Sequence, residues 1–348
     1  MTVRPASDIA ITSFEAASAT DADIRDTHAV EIVIAAEQVP DEPPAPLEET
    51  ASRIRRPNPS ERVVHWLGRD AGGRAVGHAR LEADLVNNPR LAWCHVMVVP
   101  DARRRGVGSA LLAEGVRTAA ALGRTTVGAD THQGVPGPEL LAPLGFTPRL
   151  VGHRNRLLLA DLDRSLVERW IDAAPDRAPG YTLRFWEGAT PDDVLEPFTA
   201  LLHVMNSAPI DDLDFEDETF TPEGLREREA ARADRGLEPW TLCAVAPDGT
   251  LAGYTQLFLT RWRPWVALQN DTGVDPAHRN RGLGRWLKAD MLLRLLRDRP
   301  EVDRIETWNA GSNDSMLHIN HALGFRAIDV ETSWQADTDL VLKSMEER

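Results

Sequence analysis

The sequence predicts an α/β protein with mixed sheets, built as two copies of one domain in tandem. Three observations predict it. The stretch Thr272 to Leu292 reads as the end of a strand, a tight loop and a helix. His95 to Val116 repeats that plan, with Arg103, Gly106 and Gly108 standing where Arg279, Gly282 and Gly284 stand in the later copy. Leu144-Gly145-Phe146 and Leu323-Gly324-Phe325 then follow at a similar distance in each half. A solenoid repeat is far shorter, so the recurrence means a duplicated domain. A chain of 348 residues is long enough for two cores.

The elements follow in order. Ile9 to Phe14 is a candidate first strand, and Asp21 to Glu37 an amphipathic helix opened by Thr20 as N-cap. Val39 to Pro59, rich in proline and acid, is either a loop with a short helix or a lid. Val63 to Leu67 and Val76 to Leu85 form a hairpin about Asp70-Ala71-Gly72-Gly73. Leu91 to Val99 feeds the first loop and its helix, Arg124 to Asp130 is a strand, and His153 to Leu162 closes the half. Pro175, Pro179 and Gly180 break Asp163 to Pro179, a linking helix and turn. The domains are therefore expected at 1–162 and 180–348, joined by 163–179.

The second half restarts with a strand at Tyr181 to Trp186 and a helix at Pro191 to Met205. A charged helix runs from about Pro222 to Gly236. Trp240 to Ala246 and Leu251 to Thr260 form a hairpin, and Val266 to Val274 feeds the second loop. Arg304 to Asn309 is a strand and Asp314 to Leu323 a helix. Phe325 to Trp334 and Asp339 to Leu342 are the expected closing strands. Each half reads β-α-α-β-β-β-α-β-α-β.

The loops carry the chemistry. Asp275-Pro276 ends a strand, because proline lacks an N–H and disfavours helix in the residue before it. Glycines then let the chain turn closely, and Leu283, Trp286, Leu287, Met291 and Leu295 recur at helical spacing. Free N–H groups at a helix N-terminus, with flanking arginines, make a site for a pyrophosphate. The dinucleotide fingerprint needs a third glycine and the Walker loop needs Gly-Lys-Ser/Thr, and both are missing. What remains, Arg-x-x-Gly-x-Gly after Val-x-Pro, resembles the acetyl-CoA loop of the GNAT superfamily of N-acetyltransferases. The tandem plan is similar to that of mycothiol synthase.

The resemblance implies an acyl-CoA N-acyltransferase fold in each half, with two parallel strands splayed to admit pantetheine and acetyl-CoA as co-substrate. It implies that Thr272, Gly273 and Val274 line the pantetheine, and that Arg279, Asn280, Arg281, Gly282, Leu283, Gly284 and Arg285 surround the pyrophosphate. Asn313 matches an asparagine that contacts coenzyme A in the family, or is a helix N-cap. The family's general-acid tyrosine falls at Asn320, which cannot donate a proton at a useful pKa. His318 or His321 could substitute, or both are surface residues. In the first half, Val96, Met97, Val98, Arg103, Arg104, Arg105, Gly106, Val107, Gly108 and Ser109 would hold a second acetyl-CoA. There Gly134 replaces Asn313, Leu141 replaces Asn320, and Val135-Pro136-Gly137-Pro138 interrupts the following helix.

For the general base the candidate is Asp271, on the strand before the loop, unless it merely bonds backbone at the strand end. Partial desolvation would raise its pKa. Asn270 and Gln269 are weaker polar candidates, and His95 is the first half's candidate base or a packing residue. The acidic run Asp211 to Glu218 is either a solvated face or a wall that attracts an amine, with Asp214, Phe215, Glu216 and Trp308 as substrate contacts. No metal site is expected.

Net charge is −15, which argues against nucleic-acid binding and is compatible with a cationic substrate. Cys94 and Cys243 lie in apolar strand-like runs, as buried reduced thiols of a cytoplasmic protein do. No signal peptide is expected, and no apolar run approaches membrane-span length. Basic residues that are nearly all arginine suggest a GC-rich bacterial source. The expected function is acetyl transfer to a primary amine of a small molecule, mainly in the second domain of a monomer or homodimer. The alternatives are a catalytically silent acetyl-CoA sensor and a peptide N-acetyltransferase.

Overall fold

The computed structural model describes residues 9–347. The chain starts with β1 (Ala10–Phe14), α1 (Asp21–Gln38), α2 (Leu47–Arg55), β2 (Glu61–Arg69), β3 (Ala75–Asp84) and β4 (Leu91–Val98). It continues with α3 (Val107–Ala121), β5 (Thr126–His132), α4 (Gly137–Leu141) and β6 (Thr147–Leu158). Two short helices, α5 (Arg164–Asp172) and α6 (Ala174–Arg177), precede β7 (Thr182–Glu187), α7 (Leu195–Leu202) and α8 (Pro222–Asp234). Then come β8 (Leu237–Val245), β9 (Leu251–Thr260), β10 (Val266–Val274), α9 (Leu283–Asp298), β11 (Arg304–Ala310), α10 (Asp314–Leu323), β12 (Arg326–Asp337) and α11 (Thr338–Glu346). The repeated order of strands and helices is the expected one.

Local chemistry explains most of the boundaries. Thr20 caps α1: its Oγ1 accepts from the Asp23 N–H at 3.1 Å, and Asp23 accepts from the Thr20 N–H at 3.1 Å. Such reciprocal caps contribute about 1 kcal/mol. Val39 to Pro59 contains a short helix, α2. Leu-Gly-Phe is a helix stop, with Gly145 at φ 92° and Gly324 at φ 98°, a conformation that a Cβ would strain.

Three expected elements differ. Asp339–Leu342 is not a strand but lies in α11, because Asp337 caps that helix by accepting from the Leu340 N–H at 3.0 Å and Val341 is buried against the first core. The helix expected at Pro191 to Met205 is α-helical only over α7, because Pro197 is tolerated in a first turn and not in an interior. The closing strand of the first half begins earlier, at Thr147, directly after Phe146.

The chain folds into two compact units that exchange segments. Among the described residues, the first unit holds 9–152, Ile210–Asp217 and 329–347. The second holds His153–Pro209 and Glu218–Ile328. A contiguous split at 162 and 180 therefore differs from the units of the fold: residues 163–179 belong to the second core, where Val167 is fully buried. In the first unit β1, β2, β3 and β4 run antiparallel in sequence order, and β5 lies parallel to β4. The C-terminal strand closes this sheet, pairing Glu331–Asp337 antiparallel with β5. The second unit repeats the pattern over β7, β8, β9 and β10, with β11 parallel to β10 and the end of β6 beside β11.

Each parallel pair is short. β10 pairs with β11 only through Val266–Leu268, and β4 pairs with β5 only through Leu91–Trp93. Beyond those residues the strands separate and open a cleft at the C-terminal end of each parallel pair. In β10 the register against β9 shifts between Gln269 and Thr272, the local kink that an extra residue produces.

Candidate active site

In the second unit the cleft leads into a cavity of about 790 Å³. Thr272, Gly273 and Val274 line one side. They pair with Thr255, Tyr254 and Gly253 on β9, which leaves their other edge to the cleft. Backbone groups on such an edge need partners, and an extended ligand can supply them. Arg279, Asn280, Gly282, Leu283, Gly284 and Arg285 line the far end, together with Asn313. Of the residues expected around the pyrophosphate, only Arg281 is outside the lining; its guanidinium lies 5.9 Å from the Tyr181 ring.

The loop is shaped for an anion. Asn280 has φ 64° and Gly282 φ 76°, and left-handed residues alternating in this way turn neighbouring N–H groups inward. The sixteen-residue α9 starts at Leu283 and adds its dipole. The first unit reproduces this conformation: Arg104 has φ 62° and Gly106 φ 82°, and α3 begins at Val107. Its cavity, about 450 Å³, is lined by Val96, Met97, Val98, Arg103, Arg104, Gly106, Gly108 and Ser109. Arg105 is exposed and Val107 is buried in the core, so neither lines it.

The leading arginine of each loop is a brace. Arg279 donates through Nε to the Val274 carbonyl at 3.0 Å and through an Nη to Ser207 Oγ at 2.9 Å. Arg103 donates to the Val98 carbonyl at 3.0 Å and ion-pairs with Glu37 on α1. Each guanidinium pins its loop to the strand before it. The Glu37 carboxyl is held below its usual range by Arg103, against the effect of burial.

Asp271 is the residue before the cavity lining begins. Its Oδ2 accepts from Tyr254 Oη at 3.3 Å and from Asn270 Nδ2 at 3.1 Å. Burial raises its pKa above the usual carboxylate range, while Tyr254, Arg232 and Asn270 pull it back down. Tyr254 is fully buried and stays protonated, pushed up by burial and by Asp271. This partner was missed: it lies on the neighbouring strand, and only the ladder brings it to Asp271. Gln269 bonds Thr255 and the Gln256 carbonyl. Val204, Met205, Ser207, Arg177, His278 and Ser315 also line the cavity without having been expected to.

Other candidates go elsewhere. Asn313 caps α10, its Oδ1 accepting from the Met316 N–H at 3.2 Å, and it lines the cavity as well. His318 lines the cavity; His321 is exposed and does not. Asn320 is fully buried and outside the lining; its Nδ2 donates to Asn309 Oδ1 at 2.9 Å, so it has a packing position. The acidic run does not wall the second cavity. Arg90 draws Asp214 to 3.2 Å and Glu216 to 3.3 Å, the Glu216 N–H donates to Asn88 Oδ1, and the Asp214 N–H and carbonyl bond the Gln335 side-chain amide, all within the first unit. Phe215 and Trp308 are 38% and 42% exposed and line neither cavity. Cys94 and Cys243 are buried free thiols with raised pKa, Cys94 up to about 12, and so are poor nucleophiles. Among the described residues no cluster could hold a metal, and no helix is long and apolar enough to cross a membrane.

Two splayed-strand units, each with an anion loop at the mouth of its cleft, define a class of acyl-CoA-dependent transferases. The chain belongs to the GNAT acetyltransferase family, whose model matches residues 28–136 and 208–325. The mycothiol acetyltransferase of Salinispora arenicola is 29% identical over 302 residues, covering 83% of this chain and 86% of that protein. The mycothiol acetyltransferase of Kineococcus radiotolerans is 31% identical over 285 residues, covering 77% and 81%. Among solved structures, a tandem GNAT protein from the clavulanic acid biosynthesis pathway matches with a TM-score of 0.77 at 29% identity, covering 95% of this chain and 99% of that one. The protein is a GNAT-family acetyltransferase with tandem domains, for which acetyl-CoA is the co-substrate.

Proposed function

We propose that the second unit transfers the acetyl group to a primary amine of a small molecule by direct attack in a ternary complex. The supporting observation is the position of Asp271, beside the strand edge that lines the cavity and at the bulge where the register of β10 against β9 shifts. The free edge of Thr272–Val274 would pair with pantetheine, and the loop from Asn280 to Arg285 would hold the pyrophosphate. Acetyl-CoA supplies the activated acyl group. Asp271 takes the proton from the incoming ammonium, and an N–H of β10 beside the cleft donates to the carbonyl oxygen as negative charge develops on it. Positioning, proton removal and oxyanion stabilisation together carry the reaction. The relatives named mycothiol acetyltransferases support a small-molecule acceptor.

The test is thiol release from acetyl-CoA against aminoglycosides, polyamines, amino acids and short peptides. Asp271→Asn should lower turnover of the accepted amine by about 10²–10⁴-fold while acetyl-CoA binding, followed by calorimetry, persists. Wild-type turnover in that variant would remove Asp271 from the chemistry. A short peptide as the best acceptor would replace the small-molecule reading.

A further inference from the structure

The first unit has its own arrangement of titratable groups at its own cleft. His95 stands at the same distance before Arg103 as Asp271 before Arg279, so the duplicated fold puts it at the equivalent point of the strand. It lines the first cavity together with Asp130 and Glu139, and the anion loop lines the same cavity. His95 Nε2 lies 3.3 Å from Glu82 Oε2 on β3, and His95 Nδ1 lies 3.7 Å from Asp130 Oδ2 on β5. The Arg80 guanidinium lies 3.0 Å from Glu82. Burial opposes ionisation of Glu82, but His95 and Arg80 override it and hold the carboxyl at about 2. An ionised carboxylate only accepts hydrogen bonds, so Nε2 of His95 carries the proton and donates it. In the neutral ring, Nδ1 then has a free lone pair on the side of Asp130.

Asp130 is fixed in turn. Its carboxylate accepts from Trp93 Nε1 and, at 2.8 Å, from Ser333 Oγ. The parallel pairing of β4 and β5 ends at Trp93 and Gly128, so His95 and Asp130 face the cleft just past its vertex. Part-buried carboxylates flanking a histidine, in a cavity that Arg103 and Arg104 also line, match a molecule with a cationic amine meeting one with phosphates.

We propose that the first unit is a second acetyl-transfer site, which takes a small cationic amine and uses His95 as its base. Glu82 fixes the imidazole tautomer and Asp130 holds the ammonium. Nδ1 of His95 removes one ammonium proton. The freed nitrogen pair forms the C–N bond, and the C–S bond breaks with its electron pair going to sulfur. The second nitrogen proton ends on the thiolate, and His95 releases its own to solvent. The inference stands apart from the reading of the second unit.

The test uses the full chain in an Asp271→Asn background, with spermidine, a diaminobutane and ethanolamine as probe amines. Thiol release should persist there. Adding His95→Ala should lower it by about 100-fold or more, and imidazole in the buffer should restore part of the loss. Calorimetry should find the same acetyl-CoA stoichiometry with and without His95. Gly108→Ala should remove one of the two acetyl-CoA sites and the remaining turnover. A Cβ there meets Leu140 at 3.4 Å and Val98 at 3.6 Å, contacts the fold can accept, but it fills the approach to the loop. Silence of the background variant toward every probe overturns the proposal. So does an unchanged rate in His95→Ala, or a loss that imidazole leaves untouched. If instead Asp271→Asn keeps full activity and Gly108→Ala abolishes it, the reading of the second unit fails by itself.

Discussion

Tyr254→Phe tests the chemistry of the second site through one hydrogen bond. The Tyr254 hydroxyl donates to Asp271 Oδ2 at 3.3 Å, and it is among the groups that stabilise the carboxylate against burial. A hydrogen bond to an ionised group contributes about 1.5–3 kcal/mol. A length of 3.3 Å is beyond the usual range for O–H···O, which places this bond at the low end. About 1.4 kcal/mol corresponds to one pKa unit. Asp271 must be ionised to accept a proton, so the rate falls as pH drops through its pKa. Without the tyrosine hydroxyl that pKa rises further, and the acid limb of kcat/KM should move up by about one unit. The plateau rate and the KM for acetyl-CoA should change little, because Tyr254 does not line the cavity and Asn270 still bonds the carboxylate. The assay is thiol release across pH, with the first unit silenced by His95→Ala and thermal denaturation confirming the fold. An acid limb that stays in place, or moves down, refutes the assignment of that limb to Asp271.

Two further predictions concern stability. Glu306 is 4% exposed between Arg154 and Arg156, whose Nε atoms lie 3.1 and 2.8 Å from its oxygens. Burial would raise its pKa, but the two guanidinium groups lower it below 4.5. Glu306→Gln should destabilise the second unit by about 3 kcal/mol, measured by urea unfolding near pH 7. The wild-type advantage is complete above the unfolded value of 4.5 and disappears as pH falls through the lower folded value, so the two unfolding curves should converge in acid. Lys288 is 3% exposed on α9, and burial alone brings its pKa from 10.5 to about 7. Below pH 7 the folded state therefore buries a charge, and stability should rise as pH climbs from 7 toward 10.5. Lys288→Met should stabilise the protein by a few kcal/mol near neutral pH, with a gain that shrinks by pH 10; destabilisation at pH 7 would sink that account.

What was legible in the sequence was what local chemistry determines. An arginine, two glycines and a helix start within a few residues specify a tight loop with left-handed residues before a helix, and the structure has that conformation twice. Gly145 and Gly324 are readable as stops because a left-handed helix cap has few alternatives to glycine. Non-local matters were not legible. Arg90 lies far from the acidic run in sequence, and its ion pairs with Asp214 and Glu216 turned an expected substrate wall into a docked segment of the first unit. The exchange of the last strand depends on pairing between Glu331–Asp337 and β5, which no periodicity reveals. The braces were not legible either: Arg103 and Arg279 line their cavities, and each also donates through Nε to the carbonyl of Val98 or Val274.

The two sites also show how a duplicated domain can diverge without changing its fold. The positive φ values, the loop braces and the short parallel pairing are common to both units, because they are backbone features that the cleft needs. The side chains at the vertex are free to differ. At one position of the strand the first unit carries His95 and the second Asp271; on the neighbouring antiparallel strand the buried His78 stands opposite Met97 and the buried Tyr254 opposite Gly273. The braces differ too: Arg103 is matched by the charge of Glu37, while Arg279 meets the neutral hydroxyl of Ser207. The second loop therefore keeps more of its positive charge for a pyrophosphate, and the first has part of it cancelled. On these grounds the second cavity should bind acetyl-CoA more tightly and with a steeper dependence on salt, and calorimetry of Gly108→Ala against Gly284→Ala at two ionic strengths resolves the two sites. Equal affinities with equal salt dependence would show that the Glu37 pair leaves the phosphate end of the first cleft unaffected.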